Sequence, residues 1–482
     1  MRTLELAYIA FVVLAALMFF ALPRKIMLFH YLANIGILCL VVTHLLFEGY
    51  RWQMIPAYIL GSFVVYIILT RPQFSTLWSR VVISFFLIIW VPVAILLPII
   101  VPIFTLPEPS GIYDVAKVSY HLKDPTRKEV ATTDQTDTRE LPVSIWYPTE
   151  DSSAALVPYV KMTPKVKEAI ANHYQIPSFF LSYLSDVTTN SFTSGAVAES
   201  EQRFPVVLLS HGLPGNSSMM TSIAENLASN GFIVAAIDHT YYSNLTILPD
   251  DKVIFSTAAL PNPLELEEWD NIISSVWMKD QQQALDFILN SLQYDPLFAG
   301  TLNVEKVGVL GHSFGGAAVF QTLLTDERIK AGVNMDGTFF GHVQEGADTK
   351  KPFLFMKVKE EQASLTLTPT QEELASLGLT LQQFNELNSK LENRKQIFSH
   401  YGGYEAVFTD LKHLSFNDFY MFSPILQIVD KVHVREDSSM INWLLVQFFN
   451  KTLYDMTETV FDTRDIPYSR LTITSLQSPN TP

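Results

Sequence analysis

VGVLGHSFGGAAVF, residues 307–320, opens as a run of small and apolar residues and then gathers three glycines around one serine. The run reads as a buried strand, and the residues from Phe314 onward read as a helix. A serine on a sharp strand-to-helix turn has its hydroxyl lifted above the sheet, where it can attack a substrate. Glycine is needed where a Cβ would strike backbone bent this tightly. Gly311-His312-Ser313-Phe314-Gly315 has that form, and Gly316, Ala317 and Ala318 let the helix lie close to the sheet. The pentapeptide alone recurs by chance in long chains; its place between strand and helix makes it specific. Ser313 is therefore the expected nucleophile.

A serine hydroxyl is a weak nucleophile until a base takes its proton, and the base needs an orienting acid. The chain order expected for a serine on such a turn is Ser, then Asp or Glu, then His. His342, His400, His413 and His433 follow the serine. His413 comes just after EAVFTDL (405–411), where a loop leaving a strand tip would carry the base. His342 lies beside the candidate acid, His400 precedes that strand, and His433 lies in a helical C-terminal region. Asp336 follows the apolar strand AGVNM directly, on a strand-end turn. Its rivals Glu360 and Glu361 stand after KPFLFMKV in a solvated charge run, and Asp410 is too near His413 in sequence. The expected catalytic residues are thus Ser313, His413 and Asp336. The oxyanion formed on attack needs backbone N–H donors. Phe314, next to the serine, supplies one, and Leu213 in the loop SHGLPGN (210–216) is the natural second.

The surrounding chain sets these residues in an α/β domain. LPVSIWYP (141–148) reads as an edge strand, FPVVLLS (204–210) and GFIVAAIDH (231–239) as buried parallel strands, and Leu266–Leu292 as helical. With VEKVGVL, AGVNM, KPFLFMKV and EAVFTDL as the last strand, the alternation implies a mostly parallel sheet covered on both faces. The expected class is an α/β-hydrolase fold over 107–470, with a polar insertion at 359–403 that would act as a lid or a solvated excursion, and a polar tail at 471–482.

The first fifth of the chain has a different character. Among 482 residues, 48% are hydrophobic and 17% charged, with a mean hydropathy of +0.20, and the excess is local. Leu6–Leu22, Ile26–Phe47, Met54–Leu69 and Val81–Phe104 each approach or exceed the ~17–25 residues that cross a bilayer core. They make residues 1–106 an expected four-span membrane module in a multi-pass protein. The first and third connections carry Arg24, Lys25, Arg71 and Arg80, against Arg2 and Arg51 opposite, which places those connections in the cytoplasm and the catalytic domain outside. His30, Asn34 and His44 lie inside the spans, where hydrogen bonding between helices is the expected role. A net charge of −15 argues against nucleic-acid binding. Cys39 is the only cysteine, so no intrachain disulfide forms. No metal motif or phosphate loop appears, and no cofactor is expected.

GIYDV, LPVSIWYPTED, VVLLSHGLPGNSSMMTSIAENLASNGFIVAAIDH, ALDFI, VGVLGHSFGGAAVF, MDGTFF and HLSFNDF occur in that order between about residues 111 and 425. Together they resemble platelet-activating factor acetylhydrolase of the plasma, lipoprotein-associated type. The resemblance implies a calcium-independent serine esterase that removes short or oxidised acyl groups from the glycerol of phospholipids. Its triad carries over onto Ser313, Asp336 and His413, and its oxyanion donors onto Leu213 and Phe314. Pro214 stands where that family usually has glycine, and MDGTFF lacks the tryptophan common after the acid, so acyl preference does not transfer. The membrane module is no part of the plasma enzyme. The leading expectation is a membrane-anchored serine ester hydrolase with a lipid or ester substrate. The alternatives are a small-ester esterase, acyltransferase or peptidase on the same triad, or a non-catalytic membrane ligand sensor.

Overall fold

The computed structural model describes residues 1–21, 27–70, 77–262, 265–342, 351–359, 374, 380–400 and 403–476. Its strands are β1 Asp114–Lys128, β2 Thr138–Thr149, β3 Leu156–Pro158, β4 Thr188–Phe192, β5 Phe204–Ser210, β6 Ile233–Ile237, β7 Leu245–Ile247, β8 Val253–Phe255, β9 Leu302–His312, β10 Ile329–Met335, β11 Phe353–Val358, β12 Tyr404–Phe408 and β13 Leu471–Ser475. β7 and β8 form a separate hairpin, and the rest join one sheet in the order β13-β12-β11-β10-β9-β5-β6-β2-β1-β4-β3. The six strands from β12 to β6 in that order are parallel to their neighbours. All seven residues of β5 are buried, as expected of a parallel strand covered on both faces.

Side-chain alternation divides the core in two. Val207, Leu209, Val234, Ala236 and Leu310 face the helices Thr221–Ser229 and Val434–Leu453. Val206, Leu208, Ile233, Ala235 and Val309 face the helix Met278–Asn290 on the other side. The period of two along each strand is what lets one sheet serve both layers. The helical stretch expected from Leu266 is a composite: helix Leu266–Ile272, a π-helical turn Ile273–Trp277, then Met278–Asn290.

Three expectations change. LPVSIWYP is not an edge, because β2 lies between β1 and β6. Its prolines suggested an edge, but Pro142 and Pro148 fall outside the Val143–Trp146 stretch that pairs with β6, so their missing N–H groups leave that ladder intact. EAVFTDL is not the last strand: β13 pairs antiparallel with β12, from Tyr404 against Ser475 to Phe408 against Leu471. Residues 471–475 are therefore sheet rather than tail, and 477–482 lie outside the described residues. In the N-terminal region four apolar helices occur, Thr3–Ala21, Met27–Phe47, Ile55–Thr70 and Leu77–Ile100. Three segments, Leu28–Phe47, Trp52–Thr70 and Val81–Ile100, are long and apolar enough to cross a membrane, and Thr3–Phe19 is shorter.

The chain divides into two compact units, and the division is not contiguous. The first holds Met1–Thr105 with Lys167–Val187 and Met421–Val429, and the second holds everything else. Within the first, the indole N–H of Trp52 donates to the Phe180 carbonyl at 3.0 Å, and Ser423 Oγ donates to the Ile100 carbonyl at 2.7 Å. Arg51 is buried and donates to both Glu5 carboxylate oxygens, at 2.5 and 2.7 Å. His44 bonds Tyr58 of the next helix at 2.7 Å, the helix-to-helix role expected of it. His30 meets the rings of Phe19 and Phe29 edge-on, and Asn34 is buried.

Candidate active site

The parallel strands end on one edge of the sheet, and each of β5, β9, β10 and β12 is followed there by a residue expected to take part in the chemistry. After β9 the backbone turns at Ser313, with φ 53° and ψ −119°, and the helix Phe314–Thr325 begins at once. The Ser313 N–H is held by the Met335 carbonyl of β10 at 2.8 Å. A Cβ at Gly311 would lie 2.3 Å from the Gly315 carbonyl oxygen, and one at Gly315 only 2.4 Å from that of His211. The glycines are what allow this turn to close against both its own helix and the end of β5.

Asp336 follows β10 at φ 56°. Its N–H donates to the Met356 carbonyl at 2.7 Å, and its Oδ1 accepts the Val358 N–H at 3.1 Å, both groups on β11. The remaining oxygen, Oδ2, is 2.7 Å from His413 Nδ1, and His413 Nε2 is 2.9 Å from Ser313 Oγ. The three residues thus form one hydrogen-bonded chain, with the Asp336 side chain 7% exposed and that of His413 31% exposed.

His312, beside the serine, supports His413 from behind. Its Nε2–H donates to the His413 carbonyl at 3.0 Å, and the two rings are 4.7 Å apart. Burial, reinforced by the neighbouring His413, pushes the His312 pKa down to about 3, so the ring is neutral. His211, at the end of β5, is likewise held down to about 4 by burial and by His239.

The loop after β5 approaches the elbow closely. A Cβ on Gly212 would stand 3.0 Å from Ser313 Cβ and 2.9 Å from His312 Nδ1. Among the described residues, neither the Leu213 nor the Phe314 N–H has a hydrogen-bond acceptor. Two free N–H groups on adjoining turns can receive an anionic oxygen. Leu213 and Phe314 also belong to an apolar cluster with Tyr242, Trp269, Trp277 and Phe340. Trp269 and Trp277 approach the Phe314 ring edge-on, at 5.5 and 5.0 Å.

This aromatic wall was not legible in the sequence, because the π-helical turn sets the facing of Trp269 relative to Trp277. Arg394, on the helix Leu381–His400 of the insertion, carried no sequence signal either. Its guanidinium spans both oxygens of Asp270, at 2.7 Å for Nη1–Oδ1, and reaches the Phe339 carbonyl at 3.2 Å. The other candidates stand elsewhere. His342 Nε2 is 2.9 Å from Asn271 Oδ1, His433 precedes the helix Val434–Leu453, and Asp410 is exposed. Glu360 and Glu361, most of the insertion before 380, and the His400 side chain lie outside the described residues. Among the described residues, no group of three or more His, Cys, Asp or Glu is placed to hold a metal ion.

Comparison with known proteins agrees with this architecture. Residues 104–253 match the family model described as platelet-activating factor acetylhydrolase, isoform II. A probable 1-alkyl-2-acetylglycerophosphocholine esterase of Arthroderma benhamiae is 28% identical over 253 residues, 49% of this chain and 60% of that protein. Platelet-activating factor acetylhydrolases of Bos taurus and Cavia porcellus are 26% and 31% identical, over 41% and 31% of this chain and 49% and 38% of theirs. The chain thus spans about half the length of the relatives it matches. A solved ferulic acid esterase of Streptomyces cinnamoneus shares the fold at a TM-score of 0.58 and 21% identity, covering 77% of this chain and all of that one. The model for the alpha/beta hydrolase fold matches residues 205–454, just over half of the chain, and with its strand order and its serine elbow the chain belongs to that family.

Proposed function

We propose that this chain is a membrane-anchored serine ester hydrolase that cleaves lipid-like esters through an acyl-enzyme. The observation that carries the reading is the chain from Ser313 Oγ to His413 Nε2, and from His413 Nδ1 to Asp336 Oδ2, at 2.9 and 2.7 Å. In the first step Ser313 Oγ bonds to the ester carbonyl carbon while its proton passes to His413 Nε2. Asp336 accepts the Nδ1–H and stabilises the imidazolium. The carbonyl oxygen, now an anion, takes the N–H groups of Leu213 and Phe314. The carbon–oxygen bond to the alcohol then breaks, and that alcohol leaves with the proton from Nε2. A water molecule repeats the sequence: it gives a proton to Nε2, attacks the acyl carbon and releases the carboxylic acid, and Ser313 recovers its proton.

The substrate class rests on the names of the relatives and on the aromatic wall beside Phe314, which is suited to an acyl group. No cofactor takes part in these steps. The N-terminal helices would act as a multi-pass anchor of four spans in the cell membrane, with the catalytic domain on the outer side. Only Val101 to Tyr113 separates the last apolar helix from β1, so the membrane supplies lipid esters at high effective concentration. The direct test is labelling of the detergent-solubilised protein by a fluorophosphonate, with hydrolysis of a panel of phospholipid and p-nitrophenyl esters. Ser313→Ala is expected to abolish both labelling and turnover, with the apolar helices still inserted. Labelling elsewhere than Ser313, or more than a few per cent of activity in Ser313→Ala, would refute the reading.

A further inference from the structure

We propose that His211 is a positioning residue that turns the Leu213 N–H toward the reacting oxygen; the inference rests on the reading of Leu213 as an oxyanion donor. The Gly212 carbonyl and the Leu213 N–H belong to one peptide unit. That unit is planar and trans, so the two groups point in opposite directions. Whatever captures the carbonyl therefore aims the N–H the other way. The Gly212 oxygen accepts two hydrogen bonds, from His211 Nδ1–H at 2.8 Å and from Gly215 N–H at 2.6 Å. His211 is 1% exposed, so the carbonyl is drawn toward a buried ring while the N–H keeps no acceptor among the described residues.

The tautomer of His211 is determined by its surroundings. The carbonyl requires a proton on Nδ1. Nε2 then keeps its lone pair, which accepts the His239 backbone N–H at 3.2 Å and lies 2.8 Å from Ser243 Oγ. A proton on Nε2 would oppose the His239 N–H, which agrees with the ring's depressed pKa. His239 is itself fixed in place. Its Nδ1–H donates to Asp280 at 2.9 Å, and its Nε2 accepts from Ser210 at 3.1 Å. Ser210 Oγ in turn accepts from Gln281 Nε2 at 2.9 Å. The Trp277 indole stacks on His239 at 3.8 Å and meets both the His211 and Phe314 rings edge-on, at 5.2 and 5.0 Å. One indole therefore backs the supports of both oxyanion donors.

The role is tested with a set of His211 variants. Asn places an amide N–H near the position of Nδ1, whereas Gln and Leu do not. His211→Leu and His211→Gln are expected to lose roughly 10²–10³-fold in kcat with KM near the wild-type value, the cost of one oxyanion donor. His211→Asn should retain at least about a tenth of kcat on the same scale. Across the set, affinity for a trifluoromethyl ketone, which adds to the serine as a tetrahedral oxyanion, should fall in proportion to kcat. Thermal unfolding of each variant separates lost positioning from lost fold, and the near-isosteric Asn and Gln pair remains informative if Leu does not fold. A His211→Gln protein that folds, turns over and binds the ketone like wild type would overturn the inference alone. A wild-type protein that hydrolyses a thionoester as fast as the matching ester would overturn the oxyanion reading and this inference with it.

Discussion

Ser313 and Asp336 both occupy positive φ, at 53° and 56°, a region that costs most residues energy and that Asp and Asn tolerate best. The tolerance makes Asp336→Asn an informative variant, because it keeps the backbone conformation and retains an oxygen for the Val358 N–H. What it changes is the group facing His413 Nδ1, from an acceptor to an amide donor. The imidazole is then driven to the wrong tautomer, and kcat is expected to fall by roughly 10⁴ with little loss of stability, by analogy with the same change in a serine-protease triad. Glu360→Gln and Glu361→Gln should remain near wild type. The reverse pattern in steady-state kinetics would move the acid to the end of β11. The three side chains in this hydrogen-bonded chain were all legible in the sequence, because strand-end position and chain order constrain them. The hydrogen bonds made by His211, His312 and Arg394 were not, since each depends on a carbonyl or carboxylate brought near only by tertiary packing.

Elements differ in how openly the sequence announces them. β5 and β6 are short apolar runs bounded by turn residues, and each is a strand where it was expected, while β9 runs from Leu302 to His312 and so begins before the expected VEKVGVL. β13 is LTITS, whose polar alternation looks like tail until β12 is present to receive it. The turn after β12 carries His413, and its carbonyl is fixed by His312 on the elbow, so protonation of His312 bears on both segments. The His312 pKa is about 3 in the fold against about 6.5 in an unfolded chain. The neutral ring is therefore favoured by folding. Its stabilising contribution is complete above about pH 6.5 and is lost as pH falls toward 3, roughly 3 kcal/mol of it by pH 4. His211 adds a loss of the same sign from about 6.5 to 4, while buried Asp418, pushed up to about 7, opposes both as it takes up a proton. Gln in place of His312 keeps an N–H for the His413 carbonyl and removes the titration. Denaturant midpoints measured between pH 6.5 and 4 should fall less steeply for His312→Gln than for wild type; equal slopes would mean that His312 does not titrate as described.

At the scale of the whole molecule, the apolar first fifth and the α/β remainder were visible from composition and periodicity alone. The non-contiguous division was not. Lys167–Val187 and Met421–Val429 group with the first 105 residues, and no local pattern links stretches so far apart in sequence. In the proposed topology all four apolar helices cross the membrane and return the chain to the side on which it began, which the Lys and Arg bias of the connections would put outside the cell. Protease added to intact cells should therefore degrade the region beyond Gly111. Protection until the cells are lysed would place the hydrolase unit in the cytoplasm and change the pool of esters it meets, without touching the chemistry at Ser313.

The pairing of β13 with β12 has a practical consequence for anyone handling this protein. Five residues near the carboxyl end form the outer seam of the sheet, and the strand they cover is the one that leads into the His413 turn. A chain cut before Leu471 would leave the hydrogen-bonding edge of β12 open to any extended peptide, including the same edge on another molecule. Such a truncation is expected to lower ester turnover and to produce aggregates detectable by size-exclusion chromatography in detergent, although every residue named in the reaction is still present. The far end of the chain, where a designer would trim first, is where this fold keeps its selvage.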